Sequence, residues 1–152
     1  MDKPDYLQHF TEYAAAYERS LSGPVDTKAI RSFFAENFVA AGTNGQVTCG
    51  SNDEVFEATL EKGYSFYAAI GTRSMRVERV EAEQIYEDHD KVRVFYRATY
   101  ERKDRSLLQV AFDLLYLMQR REDGPKVFAF VAGDEMALYR QHGLVDEQGQ
   151  PA

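Results

Sequence analysis

The order of elements along the chain predicts an α+β fold. A strongly curved antiparallel sheet wraps around three N-terminal helices, forming a cone with an interior pocket, and a short C-terminal helix follows. Three observations carry this reading. Apolar residues recur at three- and four-residue steps in the first 70 positions, the period changes to two from Arg73 onward, and hairpin-length turns separate the long strand-like segments.

The first helix begins near Pro4, whose fixed φ suits a first helical turn. Tyr6, Phe10, Tyr13, Tyr17 and Leu21 form its apolar stripe. Ser22, Gly23 and Pro24 stop it, and Asp26 caps a second helix carrying Ile30, Phe33 and Phe34. Phe38 to Thr43 and Gln46 to Cys49 flank Asn44-Gly45, a pair at ease with positive φ, which makes this a hairpin. Ser51 and Glu54 read as a capping box opening a third helix. The inner stripe of that helix is Phe56, Leu60, Tyr64 and Tyr67, with Gly63 permitting close approach and Gly71 as its stop. Strands follow near 73–86, 91–102, 106–119 and 126–132, with turns at EDHD, RKDR and REDGP. Residues 135–142 form the last helix, capped by Asp134 and ended by Gly143. Residues 1–152 read as one domain with a core of about 5–144 and a flexible tail at 145–152.

The central hairpin has two possible registers, and they place opposite residues inside. If Arg102 pairs with Ser106 across a three-residue loop, Val92, Val94, Tyr96, Ala98 and Tyr100 share a face with Leu108, Val110, Phe112, Leu114, Tyr116 and Met118. A two-residue loop would mix Gln109 and Asp113 into that face, because a one-residue slip turns every side chain over. Each large apolar side chain kept from water contributes roughly 1.5–3 kcal/mol. A buried unpaired carboxylate costs several, so the three-residue loop is expected.

Composition excludes several function classes. Charged residues make up 28% of the chain, and no apolar run approaches the roughly 20 residues of a bilayer helix. The start, MDKPDYLQHF, lacks the basic and apolar regions of a signal peptide. Cys49 is the single cysteine and forbids an internal disulfide, so a cytoplasmic location is expected. The net charge of −7 disfavours nucleic acid and anionic membrane as partners. No glycine-rich phosphate loop, no GxSxG and no metal-ligand spacing occurs, so no cofactor and no metal are expected.

The helix–helix–hairpin–helix order, the FFAENFV segment (Phe33 to Val39) and QRREDGPKVFAF (Gln119 to Phe130) together resemble the nuclear transport factor 2-like superfamily, in particular its SnoaL-like branch. The resemblance runs from Tyr6 to Leu144 and implies the cystatin-like cone described above. It also implies a range of activities: isomerases, dehydratases, epoxide hydrolases, polyketide cyclases, and members that only bind or dimerise. Specific motifs depart from those of the enzymes. Val39 to Thr43 holds no acid where the ketosteroid-isomerase-like branch carries its base, although Tyr13 or Tyr17 matches its oxyanion-binding tyrosine. Arg97-Ala98-Thr99 has threonine where the limonene-epoxide-hydrolase-like branch has aspartate, with Asp113 on the neighbouring strand.

Tyrosine is the residue type that points to function. Ten are present with no tryptophan, and Tyr13, Tyr17, Tyr64, Tyr67, Tyr96, Tyr100 and Tyr116 fall on interior stripes. Buried phenols need hydrogen-bond partners. They read either as donors around a small, mostly apolar ligand or as core packing. The expected ligand-binding residues are Tyr13, Tyr17, Phe56, Leu60, Tyr64, Tyr96, Phe112 and Tyr116. The expected function is small-molecule binding; the alternatives are an isomerase, dehydratase or cyclase, and a dimerisation module without ligand. Asp113, diagonal to Arg93 and Arg97, is the one catalytic candidate, or else half of an exposed ion pair. Phe95, Leu107, Leu115 and Leu117 on that outer face predict a homodimer. His9 reads as solvated, His89 as part of the acidic turn, and His142 as a cation in the last helical turn.

Overall fold

Residues 2–152 are described by a computed structural model. The first helix, α1 (Tyr6–Arg19), starts where the Asp5 carboxylate accepts the Gln8 amide at 3.0 Å. The second, α2 (Thr27–Arg31), is capped by Asp26 as expected, but it lasts only five residues. Phe34 opens strand β1 (Phe34–Ala41) instead of extending that helix, because β1 needs it to start pairing with the last strand. Strand β2 (Val47–Ser51) returns from a turn in which Asn44 and Gly45 both adopt positive φ. Helix α3 (Glu54–Ala69) follows, then β3 (Thr72–Tyr86), β4 (His89–Glu101), β5 (Leu107–Gln119), β6 (Lys126–Ala132) and α4 (Glu135–Gln141).

The cap of α3 is Asp53 and not Ser51. Its carboxylate accepts both the Val55 and the Phe56 amides, at 3.0 and 3.1 Å, whereas Ser51 remains in β2. A carboxylate two residues nearer the helix satisfies two orphan donors at once, and strand pairing claims the serine backbone.

The six strands form one open sheet in the order β2-β1-β6-β5-β4-β3. Every neighbouring pair is antiparallel except β1 with β6, which run parallel, so the sheet is mixed. The long route from β1 to β6 through α3 and four strands makes a parallel return possible. Shifts of register in β3, between Val77 and Arg79 and at both of its ends, curl the sheet into a half-open cone.

The central hairpin adopts the three-residue loop. The Arg102 amide donates to the Ser106 carbonyl at 2.9 Å, and Tyr96 pairs with Phe112 and Phe95 with Asp113. Along β4 the burial then alternates strictly, with Val92, Val94, Tyr96, Ala98 and Tyr100 all buried. Helix α1 lies against β3 and, with Phe10 and Ile30 fully enclosed, covers one end of the concave face.

Residues 145–152, expected as a flexible tail, fold back on the domain. Val145 bridges to Pro151, Leu144 and Val145 are buried, and the Asp146 carboxylate accepts the Gln148 and Gln150 amides. Among the described residues no helix is long and apolar enough to cross a membrane.

Candidate functional site

Three helices and the concave sheet face enclose a cavity of about 320 Å³. Helix α1 supplies Tyr13 and Tyr17, at a spacing of four that puts both on one face. Helix α3 supplies Phe56, Leu60, Tyr64 and Tyr67 by the same periodicity. The strands contribute Tyr96, Tyr100, Phe112 and Tyr116, all on one side because the register is even. The eight residues expected to meet a ligand therefore line one space.

A second depression, about 570 Å³, opens on the outside near Gly71, Arg102 and Leu144. It is larger but shallow and faces bulk water, so a small molecule would keep most of its surface wet there. The interior cavity is the candidate site.

Ring packing fixes the walls. Tyr17 meets Tyr64 at 4.9 Å between centroids, and Tyr96 stacks on Phe112 at 5.4 Å. Deeper, the Tyr96 and Tyr116 hydroxyls hydrogen-bond each other at 2.8 Å. Burial raises the pKa of every one of these phenols: Tyr13 and Tyr100 to about 12, and Tyr17, Tyr64, Tyr67, Tyr96 and Tyr116 further. Removing the charged form from water is the largest cause in each case. All are neutral at physiological pH and serve as hydroxyl donors and acceptors.

Sequence reasoning missed one wall. Glu135, at the start of α4, lines the cavity together with Tyr139 one turn later. Its pKa is raised by desolvation alone. An acid in a first helical turn reads as a complement to the helix dipole, which hides it. The signal was its four-residue spacing from Tyr139.

Asp113 lies on the opposite face of the sheet. Arg93 Nε donates to it at 2.7 Å, and both side chains are roughly half exposed. Among the described residues no histidine lines the cavity. His9 is not solvated: its ring packs on Phe10 and Phe33 at 5.3 and 4.9 Å, and burial lowers its pKa to about 4. It follows Tyr6 by three residues, so it lies on the flank of the buried stripe. Among the described residues no three His, Cys, Asp or Glu side chains converge as metal ligands.

A curled, open sheet folded over helices around an aromatic cavity defines the cystatin-like α+β class. The chain belongs to the NTF2-like protein family DUF6841, whose model matches residues 4–135. No curated protein matches it. Among solved structures it is similar to an NTF2-like protein with a cystatin-like fold from Novosphingobium aromaticivorans, with 9% identity and TM-score 0.65 over 85% of this chain and 79% of that one. An NTF2-like protein of unknown function from Shewanella oneidensis MR-1 aligns with 16% identity and TM-score 0.61 over 86% and 97%. A ketosteroid isomerase-like protein from Erwinia carotovora atroseptica aligns with 20% identity and TM-score 0.55 over 80% and 87%. Likeness at these identities establishes the fold and no activity.

Proposed function

We propose that the chain binds a small, mostly apolar molecule bearing a hydroxyl, carbonyl or other polar group in the interior cavity. The single observation that carries this is the pairing of volume with chemistry. About 320 Å³ of space is walled by eight tyrosines and four phenylalanines and not filled by them, and it falls at the small end of the roughly 300–1,000 Å³ typical of ligand sites. Phe112 and Leu114 on the concave face stay only partly buried, although Val110 and Tyr116 beside them are buried. A cone filled as a plain dimerisation module would bury them all.

Native mass spectrometry of the purified protein, set against the same sample denatured, tests the reading. Extra mass released on denaturation is the expected result. Loss of that mass in Gly63→Phe, which places a ring where nothing stands within 4 Å of an added Cβ, locates it in the cavity. Absence of retained mass, with no thermal shift across a library of small apolar alcohols and ketones, sinks the reading.

The outer sheet face supports a second element of the proposal, a homodimer. Phe95 lies under Arg79 and Arg93, whose guanidinium carbons stand 3.7 and 4.8 Å from its ring centre, with Leu115 diagonal to it and Leu117 two positions further along β5. Pairing two such faces removes the leucines from water.

A further inference from the structure

Glu135 stands apart from the other fully or partly buried acids among the described residues. Asp90 is held by Arg120 and Tyr6, Glu57 by Arg31 and Thr27, and Glu18 accepts the Met75 amide at 2.8 Å. Glu135 has neither a hydrogen-bond partner for its carboxylate nor a cation among the described residues. A partly buried carboxylate turned toward an aromatic cavity, with no cation beside it, is less well compensated than one in bulk water, and that costs free energy. The protein tolerates that cost at the wall of its interior cavity.

The rest of the wall makes this specific. Among the described residues no lysine, arginine or histidine lines the cavity, so the only carboxylate or cation in its wall is an acid. Tyr13, Tyr67, Tyr100, Tyr116 and Tyr139, from α1, α3, β4, β5 and α4, all feel the Glu135 charge. They remain neutral hydroxyls and offer no counter-charge. Aromatic ring faces carry negative quadrupole density and attract cations, more strongly when desolvated. An anionic ligand would meet a negative wall with nothing to receive it. A neutral hydroxyl can donate one hydrogen bond to the carboxylate but supplies no counter-charge.

We propose that the cavity selects a small apolar molecule carrying a protonated amine, with the ammonium paired to Glu135 and enclosed by the surrounding tyrosine rings. This rests on the reading of the cavity as a ligand site and adds the charge class of the ligand. The apolar body would lie against apolar wall residues such as Phe56, Leu60 and Phe112.

Three probes of one shape test it by titration calorimetry on the intact protein: adamantanamine, adamantanol and adamantane carboxylate. The amine is expected to bind at least about tenfold tighter than the alcohol, and the carboxylate more weakly than either. In Glu135→Gln the amine should fall to the level of the alcohol measured in that same variant. Equal or tighter binding of the alcohol by the unaltered protein overturns the inference, and so does an amine preference that survives Glu135→Gln. Should the alcohol and carboxylate bind while the amine does not, the cavity stands as a ligand site and the charge assignment alone falls. Failure of all three probes to bind overturns the charge assignment, while the reading of the cavity as a ligand site stands or falls by retained mass and thermal shifts.

Discussion

Arg120 grips Asp90 with two parallel hydrogen bonds of 2.8 Å, Nε to Oδ2 and Nη2 to Oδ1, and both side chains are buried. Tyr6 adds a third, its hydroxyl donating to the same carboxylate at 2.5 Å. The three residues tie α1 to the ends of β4 and β5, at the end of the cone away from Glu135.

Removing one partner of this pair leaves the other charge buried. Arg120→Leu or Asp90→Ala is expected to destabilise the fold by about 3–5 kcal/mol, read as a lower urea midpoint. The pair also carries a pH signature. Hydrogen bonds from Arg120 hold the Asp90 carboxyl below its ordinary value of 3.8. A group with a depressed folded pKa binds fewer protons folded than unfolded, so its stabilisation is present above that ordinary value and is lost as pH falls below it. Asp90→Asn should flatten the acid limb of the stability curve below pH 3.8; an unchanged limb would remove Asp90 from the acid response.

His9 acts in a milder pH range. Its Nε2 has no partner and burial lowers its pKa from 6.5 to about 4. The unfolded chain therefore takes up a proton between those values while the folded one does not, and stability declines as pH falls through that window. Each pH unit crossed there removes at most about 1.4 kcal/mol. Because His9 is only partly buried, the loss from pH 6.5 to pH 4 is roughly 2–3 kcal/mol. His9→Phe should remove the slope between pH 6.5 and 4; urea melts across that range check it.

Two glycines respond oppositely to alanine. Gly71 sits at φ +92°, and an added Cβ would stand 2.2 Å from the Glu101 carbonyl oxygen, a backbone atom that strand pairing holds in place. Gly71→Ala is expected to cost at least about 2 kcal/mol. Gly63, inside α3, has open space beside it, so Gly63→Ala should gain up to about 1 kcal/mol of helix propensity. Thermal melts of the pair give the two signs directly.

Asp113 tests the outer face. As an exposed partner of Arg93 it contributes at most about 1 kcal/mol, so Asp113→Asn should leave monomer stability nearly unchanged. Under the proposed dimer it should weaken self-association, and Leu117→Glu should abolish it. Sedimentation of the unaltered protein as a monomer at micromolar concentration refutes the interface.

Much of the architecture was legible because it rests on local chemistry and period. Asp26 and Asp134 cap helices from their place before an apolar stripe, Asn44-Gly45 turns because both residues accept positive φ, and Arg102 pairs with Ser106 because the other register would bury Asp113. The same alternation that set the register placed Tyr96, Phe112 and Tyr116 inside. Other features depend on which segments meet. Glu135 and Tyr13 are 122 positions apart, Asp90 and Tyr6 are 84, and no periodicity relates either pair. Asp90 read as part of a turn because only Arg120, brought alongside by β5, makes its burial tolerable. The parallel return of β6 onto β1 likewise depends on sheet curvature, a property of the assembled strands. Local chemistry therefore determined the elements and the aromatic lining, while the tertiary structure alone decided which charges are buried and whether each finds a partner, because desolvation depends on everything packed around a group and not on its neighbours in the chain.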